Sequence, residues 1–185
     1  MGSNEEVKGR LTDGNIMFRK SVDPSLLARL FRKQDPFVAI LTCSDSRVSP
    51  EKVFSLSLGD AFVVRVAGNS ASDPAVLGSL EYAVAHLGVK AIVVVGHTDC
   101  GAVKAAIDGE DPMNLSRVMR DIERARCKTP VDMANNPDAV AESNVRLQLR
   151  MLEDSSKVIM DAVSSDRLAL VGAMLDLTTG TVRFV

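Results

Sequence analysis

No apolar run in this sequence approaches the roughly 18 residues that a membrane span requires. The opening MGSNEEVKGRL is too polar for a secretory signal, which predicts a cytoplasmic protein without a membrane partner. Strong charge of either sign is also lacking: the formal net charge is -2, so nothing in the composition points to nucleic acid. Cysteine is scarce and odd in number, with three in 185 residues. Such a set argues against a disulfide framework and leaves reduced thiols or metal ligands. There is no G-x-x-x-x-G-K-[ST] and no G-x-G-x-x-G after a strand, so a nucleotide-binding reading would rest on fold alone. Solenoid repeats and low-complexity segments are likewise missing.

What is present has the composition of one ordinary globular domain over residues 1–185, with 46% hydrophobic and 25% charged residues. Short β-rich runs alternate with helical ones. Residues 37–42, 62–66 and 91–95 are mostly apolar, as strands covered on both faces should be, and residues 168–175 make a fourth. Between the second and third lies SDPAVLGSLEYAVAHLG, with Ser72 or Asp73 as N-cap, Pro74 in the first turn and Gly88 as the stop. Its period puts Val76, Leu77, Leu80, Val84 and Leu87 on one apolar face. Further helices are predicted from about Cys100 to Ala106, Leu115 to Arg126 and Asp138 to Leu152. Residues 1–35 read as a helical arm broken at Asp23-Pro24. Strands separated by helices imply parallel pairing with right-handed crossovers, hence an α/β fold with a mostly parallel central sheet flanked by helices. Leu175 to Phe184 reads as a hairpin that adds an antiparallel C-terminal edge strand.

The chemistry collects at two strand ends. Cys43 follows the first strand in LTCSDSRV, and His97 follows the third in VVVGHTDCG, three residues before Cys100. Ligands of open parallel sheets bind beyond the carboxyl ends of the strands, so neighbouring first and third strands would bring these residues together. Gly96 and Gly101 would let the backbone bend tightly around them. Two thiolates and one imidazole suit zinc, and three protein ligands leave one tetrahedral position free. Cys100 at a helix start would be favoured as thiolate by the helix dipole. Asp45 can then accept a hydrogen bond from a metal-bound water or occupy the fourth position itself. Arg47 decides between these by holding the carboxylate in a bidentate pair. The plainer alternative is a loop salt bridge between Asp45 and Arg47, with Ser46 capping a helix. Cys127 reads as an unpaired thiol, and His86 as a surface residue at a helix C-terminus.

These residues resemble the β-class carbonic anhydrases. CSDSRVSPE, GDAFVVRVAGN, SLEYAVAHLG and VVVGHTDCGA stand in family order and spacing; LTDGNIMF is similar to the family's N-terminal helix and LVGAMLDLTTGTVRF to its closing hairpin. The resemblance implies one Zn2+ per subunit on Cys43, His97 and Cys100, an Asp45-Arg47 dyad, and reversible hydration of carbon dioxide to bicarbonate and a proton by zinc-bound hydroxide. Gln34, Phe62 and Tyr82 fall on the substrate-pocket positions of the family's plant-like branch, where the aromatic members cross a subunit interface, so a homodimer or higher homo-oligomer is implied. Read without that likeness, Phe62 and Tyr82 would be ordinary core. A second branch carries an inhibitory bicarbonate site that uses a tryptophan and a tyrosine; this chain has no tryptophan and Leu175 stands at the tyrosine position, so that regulation is expected to be absent. Two other readings of the same site are hydrolysis of carbonyl sulfide or carbon disulfide, and a zinc-stabilised scaffold without turnover.

Overall fold

The computed structural model describes residues 3–110 and 113–185. The chain divides into two compact units, one ending at Asp35 and the other spanning Pro36–Val185.

The first unit is two helices. In α1 (Asn4–Ser21) the Ser3 side chain accepts the Glu6 N–H as N-cap, Glu5 and Glu6 occupy the first turn, and Arg19 and Lys20 the last. Those charges complement the helix dipole. Asp23 caps α2 (Pro24–Arg32) by accepting from the Ser25 N–H at 2.8 Å, and Pro24 sits in the first turn, where its missing N–H costs nothing. The break expected at Asp23-Pro24 is therefore a cap followed by a new helix.

The second unit is built on a five-stranded sheet of order β2-β1-β3-β4-β5. Strands β1 (Val38–Thr42), β2 (Ala61–Arg65), β3 (Ala91–His97) and β4 (Ala169–Leu175) are parallel, and β5 (Val182–Phe184) adds antiparallel to β4. All of β1 is buried because its two faces feed different clusters. Ala39 and Leu41 pack with Leu80, Ile92 and Val145, whereas Val38 and Ile40 pack with Val95, Ala173 and Leu175. The period of two in a pleated strand produces that division.

The helices of this unit are α3 (Pro50–Val53), α4 (Pro74–Tyr82), α5 (Gly101–Asp108), α6 (Ser116–Arg126), α7 (Pro137–Ser155) and α8 (Lys157–Ser164). Asp73 caps α4, which continues into a π turn over Ala83–Leu87 and stops at Gly88 in the left-handed conformation, φ 69°. Leu80 is fully buried, with Val76, Leu77, Val84 and Leu87 packed around the same cluster, so the expected apolar face is present. The π turn and α8 have no counterpart in the sequence reading.

One expectation needs correction. Gly96 does not serve to bend the chain, since its φ is not positive. A Cβ there would lie 2.6 Å from Val145 Cγ2 and 2.8 Å from Met174 Sδ, so glycine is required because α7 and β4 approach the end of β3 this closely. Gly101 has neither a positive φ nor any neighbour within 4 Å of such a Cβ, and it carries no special backbone demand.

Candidate metal centre

Strand β1 pairs with β2 on one side and β3 on the other, so the winding of the sheet reverses there and a crevice opens at the carboxyl ends. Thr42 is in register with Val95, and its Oγ1 donates to the Val95 carbonyl at 3.0 Å. Cys43, one residue beyond Thr42, thus emerges beside the end of β3, where His97 is the last strand residue. Cys100 follows as the N-cap of α5, and its side chain makes no capping hydrogen bond.

Cys43, His97 and Cys100 are 5%, 1% and 2% exposed, and one ligand atom of each lies within 4.8 Å of the others. His97 Nδ1 is 2.8 Å from the Thr98 carbonyl. A carbonyl only accepts, so Nδ1 carries the proton and Nε2 presents its lone pair. Nε2 is buried with no hydrogen-bond partner among the described residues. A buried orphan nitrogen is unfavourable unless something else takes its lone pair, and a cation does so. The Thr98 turn is itself pinned: its N–H donates to the Leu175 carbonyl at 3.0 Å and its Oγ1 accepts the Leu177 N–H at 3.0 Å.

Without a cation the three groups share protons unequally. Cys100, and more weakly His97, draw the Cys43 thiol well below the usual thiol range against the effect of burial. The same contact with Cys43, and then burial, pushes Cys100 up, although the amides of Val103 and Ala102 at the start of α5 pull the other way. Burial opposes charge on His97, yet Cys43 and the Thr98 carbonyl outweigh it and the net direction is upward. The pair of thiols therefore gives up one proton readily and the second with difficulty, and a bound cation reverses that second preference. Two sulfurs and an imidazole nitrogen, buried and this close together, fit a tetrahedral, borderline-soft ion such as zinc.

Beside this cluster, Arg47 grips Asp45 along one edge of the guanidinium: Nε donates to Oδ1 at 3.0 Å and Nη2 to Oδ2 at 2.7 Å. The Arg47 backbone N–H adds a third bond to Oδ1 at 2.9 Å. These contacts, the Arg47 side chain foremost, hold the Asp45 carboxyl well below the usual carboxylate range. The pair is therefore a fixed carboxylate next to the cluster, with the Asp45 N–H pointing at Cys43 Sγ, 3.4 Å away. Ser46 caps no helix; the N-cap of α3 is Ser49.

The resemblance implies that the loop RVAGN, Arg65 to Asn69, lines the site through its backbone, but the side chains that brace the site are not foreseen in the sequence. Arg65, last in β2, donates from Nε to the Cys43 carbonyl at 3.2 Å and from Nη2 to the Asp45 carbonyl at 2.7 Å. Asp99 accepts Arg47 Nη1 at 2.9 Å. The loop after β2 is held from α7: Asn144 Nδ2 donates to the Gly68 carbonyl at 2.8 Å, Gln148 Nε2 to Asn144 Oδ1 at 2.9 Å, and the Ala71 N–H to Gln148 Oε1 at 2.8 Å. Gly68 is left-handed, φ 62°, and a Cβ on it would press on Val118 and Ile122 at 3.1 Å. The only sequence signal for these was position, since Arg65 lies in GDAFVVRVAGN and Asp99 in VVVGHTDCGA.

The aromatic candidates form a separate pair. Phe62 on β2 and Tyr82 at the end of α4 have ring centroids 6.3 Å apart, and Tyr82 also meets His86 at 5.0 Å while remaining 46% exposed. Gln34 is exposed in the segment after α2 and belongs to the first unit. His86 is exposed in the π turn, and Cys127 is an exposed free thiol at the end of α6.

Comparison with known proteins places this geometry. The family described as carbonic anhydrase matches residues 38–182. Carbonic anhydrase 2 of Mycobacterium tuberculosis is 39% identical over 158 residues, which are 83% of this chain and 76% of that protein. Among solved structures, the β-carbonic anhydrase CafA of Aspergillus fumigatus superposes with a TM-score of 0.85 at 28% identity, covering 97% of this chain and 90% of its own. A tetrameric β-carbonic anhydrase of Sordaria macrospora does so with a TM-score of 0.86 at 25% identity, covering 98% of each chain. With a family match over most of its length and a fold shared from end to end, this chain belongs to the β class of the carbonic anhydrase family.

Proposed function

We propose that the chain catalyses the reversible hydration of carbon dioxide to bicarbonate and a proton, with Zn2+ held by Cys43, His97 and Cys100. The observation that carries this reading is the buried convergence of two thiols and an imidazole whose Nε2 has no hydrogen-bond partner among the described residues, beside a carboxylate locked by an arginine. Bound there, zinc supplies the Lewis acidity that brings the pKa of water down towards about 7.

The protein's own groups do the rest. Asp45 keeps lone pairs free beyond those used by Arg47, so it can accept a hydrogen bond from the reacting water and orient the attack. Arg47 stops that carboxylate from turning towards the ligands, and Arg65 fixes the backbone on which both Cys43 and Asp45 stand. Phe62 and Tyr82 provide an apolar wall for carbon dioxide, and the Gln34 amide a donor for a bicarbonate oxygen. Tyr82 is too exposed to wall a pocket alone, which favours a site completed by a second copy of the chain. The tetrameric Sordaria relatives support a homo-oligomer. No helix among the described residues is long and apolar enough to cross a membrane, and free thiols at Cys43 and Cys100 suit a reducing, cytoplasmic setting.

Stopped-flow hydration of carbon dioxide on zinc-quantified protein from about pH 6.5 to 9, beside Cys43→Ser, tests the proposal. Activity should rise with pH, and the substitution should lower it at least about a thousandfold together with zinc content. Full zinc occupancy with no hydration at any pH would overturn the reading in favour of a sulfur-containing substrate or a non-catalytic role.

A further inference from the structure

A guanidinium held along one edge can still pivot on its long flexible stem; held along two, it cannot. Arg47 is held along two. While Nε and Nη2 engage Asp45, Nη1 donates to Asp99 Oδ2 at 2.9 Å and Nη2 reaches the Asp99 carbonyl oxygen at 3.2 Å. Asp99 therefore meets the same arginine with its side chain and its backbone.

Asp99 is in turn immobilised from three directions. Its φ of 57° is left-handed, a conformation that Asp and Asn tolerate better than most residues. Its N–H donates to Asp138 Oδ1, in the first turn of α7, at 2.9 Å. Its Oδ1 accepts from Lys104 Nζ on α5. The loop after β1, the turn after β3, α5 and the start of α7 are thus joined through one residue, the carboxylate of Asp99 holding Arg47 and Lys104 and its N–H holding Asp138.

We infer that Asp99 is a positioning residue for the hydration reaction: by fixing the far edge of Arg47 it keeps Asp45 seated on the near edge, and so keeps that carboxylate away from the metal ligands. The inference rests on the proposed roles of the zinc ligands and the Asp45-Arg47 pair. It concerns geometry more than stability, because Arg47 and Asp99 side chains are 49% and 50% exposed and exposed pairs contribute little to folding. Loss of Asp99 frees Arg47 to pivot, and the released Asp45 then competes with substrate water. Lys104 and Asp138 act one step further back, by holding Asp99.

The test uses zinc-loaded enzyme at equal metal content: the unsubstituted chain, Asp99→Asn, Asp45→Asn and the double variant. Asn keeps the left-handed turn and an oxygen acceptor but removes the charge. Asp99→Asn should lower kcat about tenfold with its melting temperature within about 2 °C of the parent. In the Asp45→Asn background the same change should cost less than about twofold, because Asp99 acts only through Arg47 and Asp45. Independently of activity, the Arg47 Nε–H resonance in the 15N spectrum of the zinc-loaded enzyme should be protected from solvent exchange in the parent and lose that protection in Asp99→Asn. Where Asp45→Asn leaves too little activity to compare, that resonance decides. A kcat within about twofold of the parent, an equal loss in both backgrounds, or an unchanged Arg47 resonance overturns the inference. An inactive zinc-loaded parent instead removes the functional reading beneath it, so the two failures are distinguishable.

Discussion

In α1 and α2 no side chain is buried, and Leu11, Met17 and Phe31 stand 69%, 71% and 93% exposed; at the ends of β1 and β3, Cys43, His97 and Cys100 are 5%, 1% and 2% exposed. The two regions are held by different forces. The N-terminal helices rest on local devices, the Ser3 and Asp23 caps and, in α1, charges matched to the helix dipole, and α2, with 9 residues, is short enough to be marginal in water on such terms alone. The crevice rests on contacts between residues far apart in sequence, such as Arg47 with Asp99 and Asn144 with Gly68. The crevice obtains its order from its own core, whereas the helices show only local devices and an exposed apolar surface, which the proposed homo-oligomer would cover.

The largest effect is expected at Arg47. Arg47→Ala removes the grip on Asp45 and the link to Asp99, and activity should fall about 10- to 100-fold with zinc retained. Activity and zinc content measured together separate this outcome from simple loss of the metal. Beneath the crevice, Gly96→Ala forces a methyl against Val145 and Met174. A loss of about 2 kcal/mol is expected, lowering the melting temperature by roughly 5 °C.

In the N-terminal helices the informative change is Leu11→Ser with Met17→Ser. Both residues are exposed and belong to the first unit, so the folded Pro36–Val185 unit should persist and bind zinc while self-association weakens about tenfold, as read by sedimentation across a dilution series. The smallest effect is expected at Glu142, which accepts from Arg183 at 2.7 Å and Arg146 at 2.9 Å and so ties α7 to β5. Arg183 first, then Arg146, lowers its pKa from the ordinary 4.5 against burial. A lowered carboxyl stabilises the fold above its unfolded pKa and loses that contribution as pH falls through the folded value. Glu142→Gln should therefore cost about 0.5 kcal/mol at pH 7, and the difference should vanish in urea melts well below pH 4.

Much of this was legible in the chain. Asp73-Pro74 and Gly88 bracket α4 and its π continuation because caps and stops act through neighbouring backbone groups. Cys43 and His97 could be placed at one edge because parallel strands with helical crossovers put their carboxyl ends together. Gly96 was misjudged for the opposite reason: what demands a glycine there is Val145 and Met174, each far away in sequence. The roles of the Asp99 and Arg65 side chains escaped notice, although the RVAGN loop that begins at Arg65 is expected to line the site through its backbone, because a lone charged residue in a turn or at a strand end has no pattern until its partner is in place.

The donor set, two thiols and an imidazole, is written into the chain, together with the α/β order that delivers it and the Asp45-Arg47 pair, whose members lie two residues apart. How that pair is aimed depends on contacts made in the folded chain. The Arg47–Asp99 contact spans 52 residues, and the Gly68–Asn144 contact 76. Short-range chemistry can be read along a chain because covalent geometry limits where close neighbours stand; contacts of this span exist only after the sheet has closed and the helices have packed upon it.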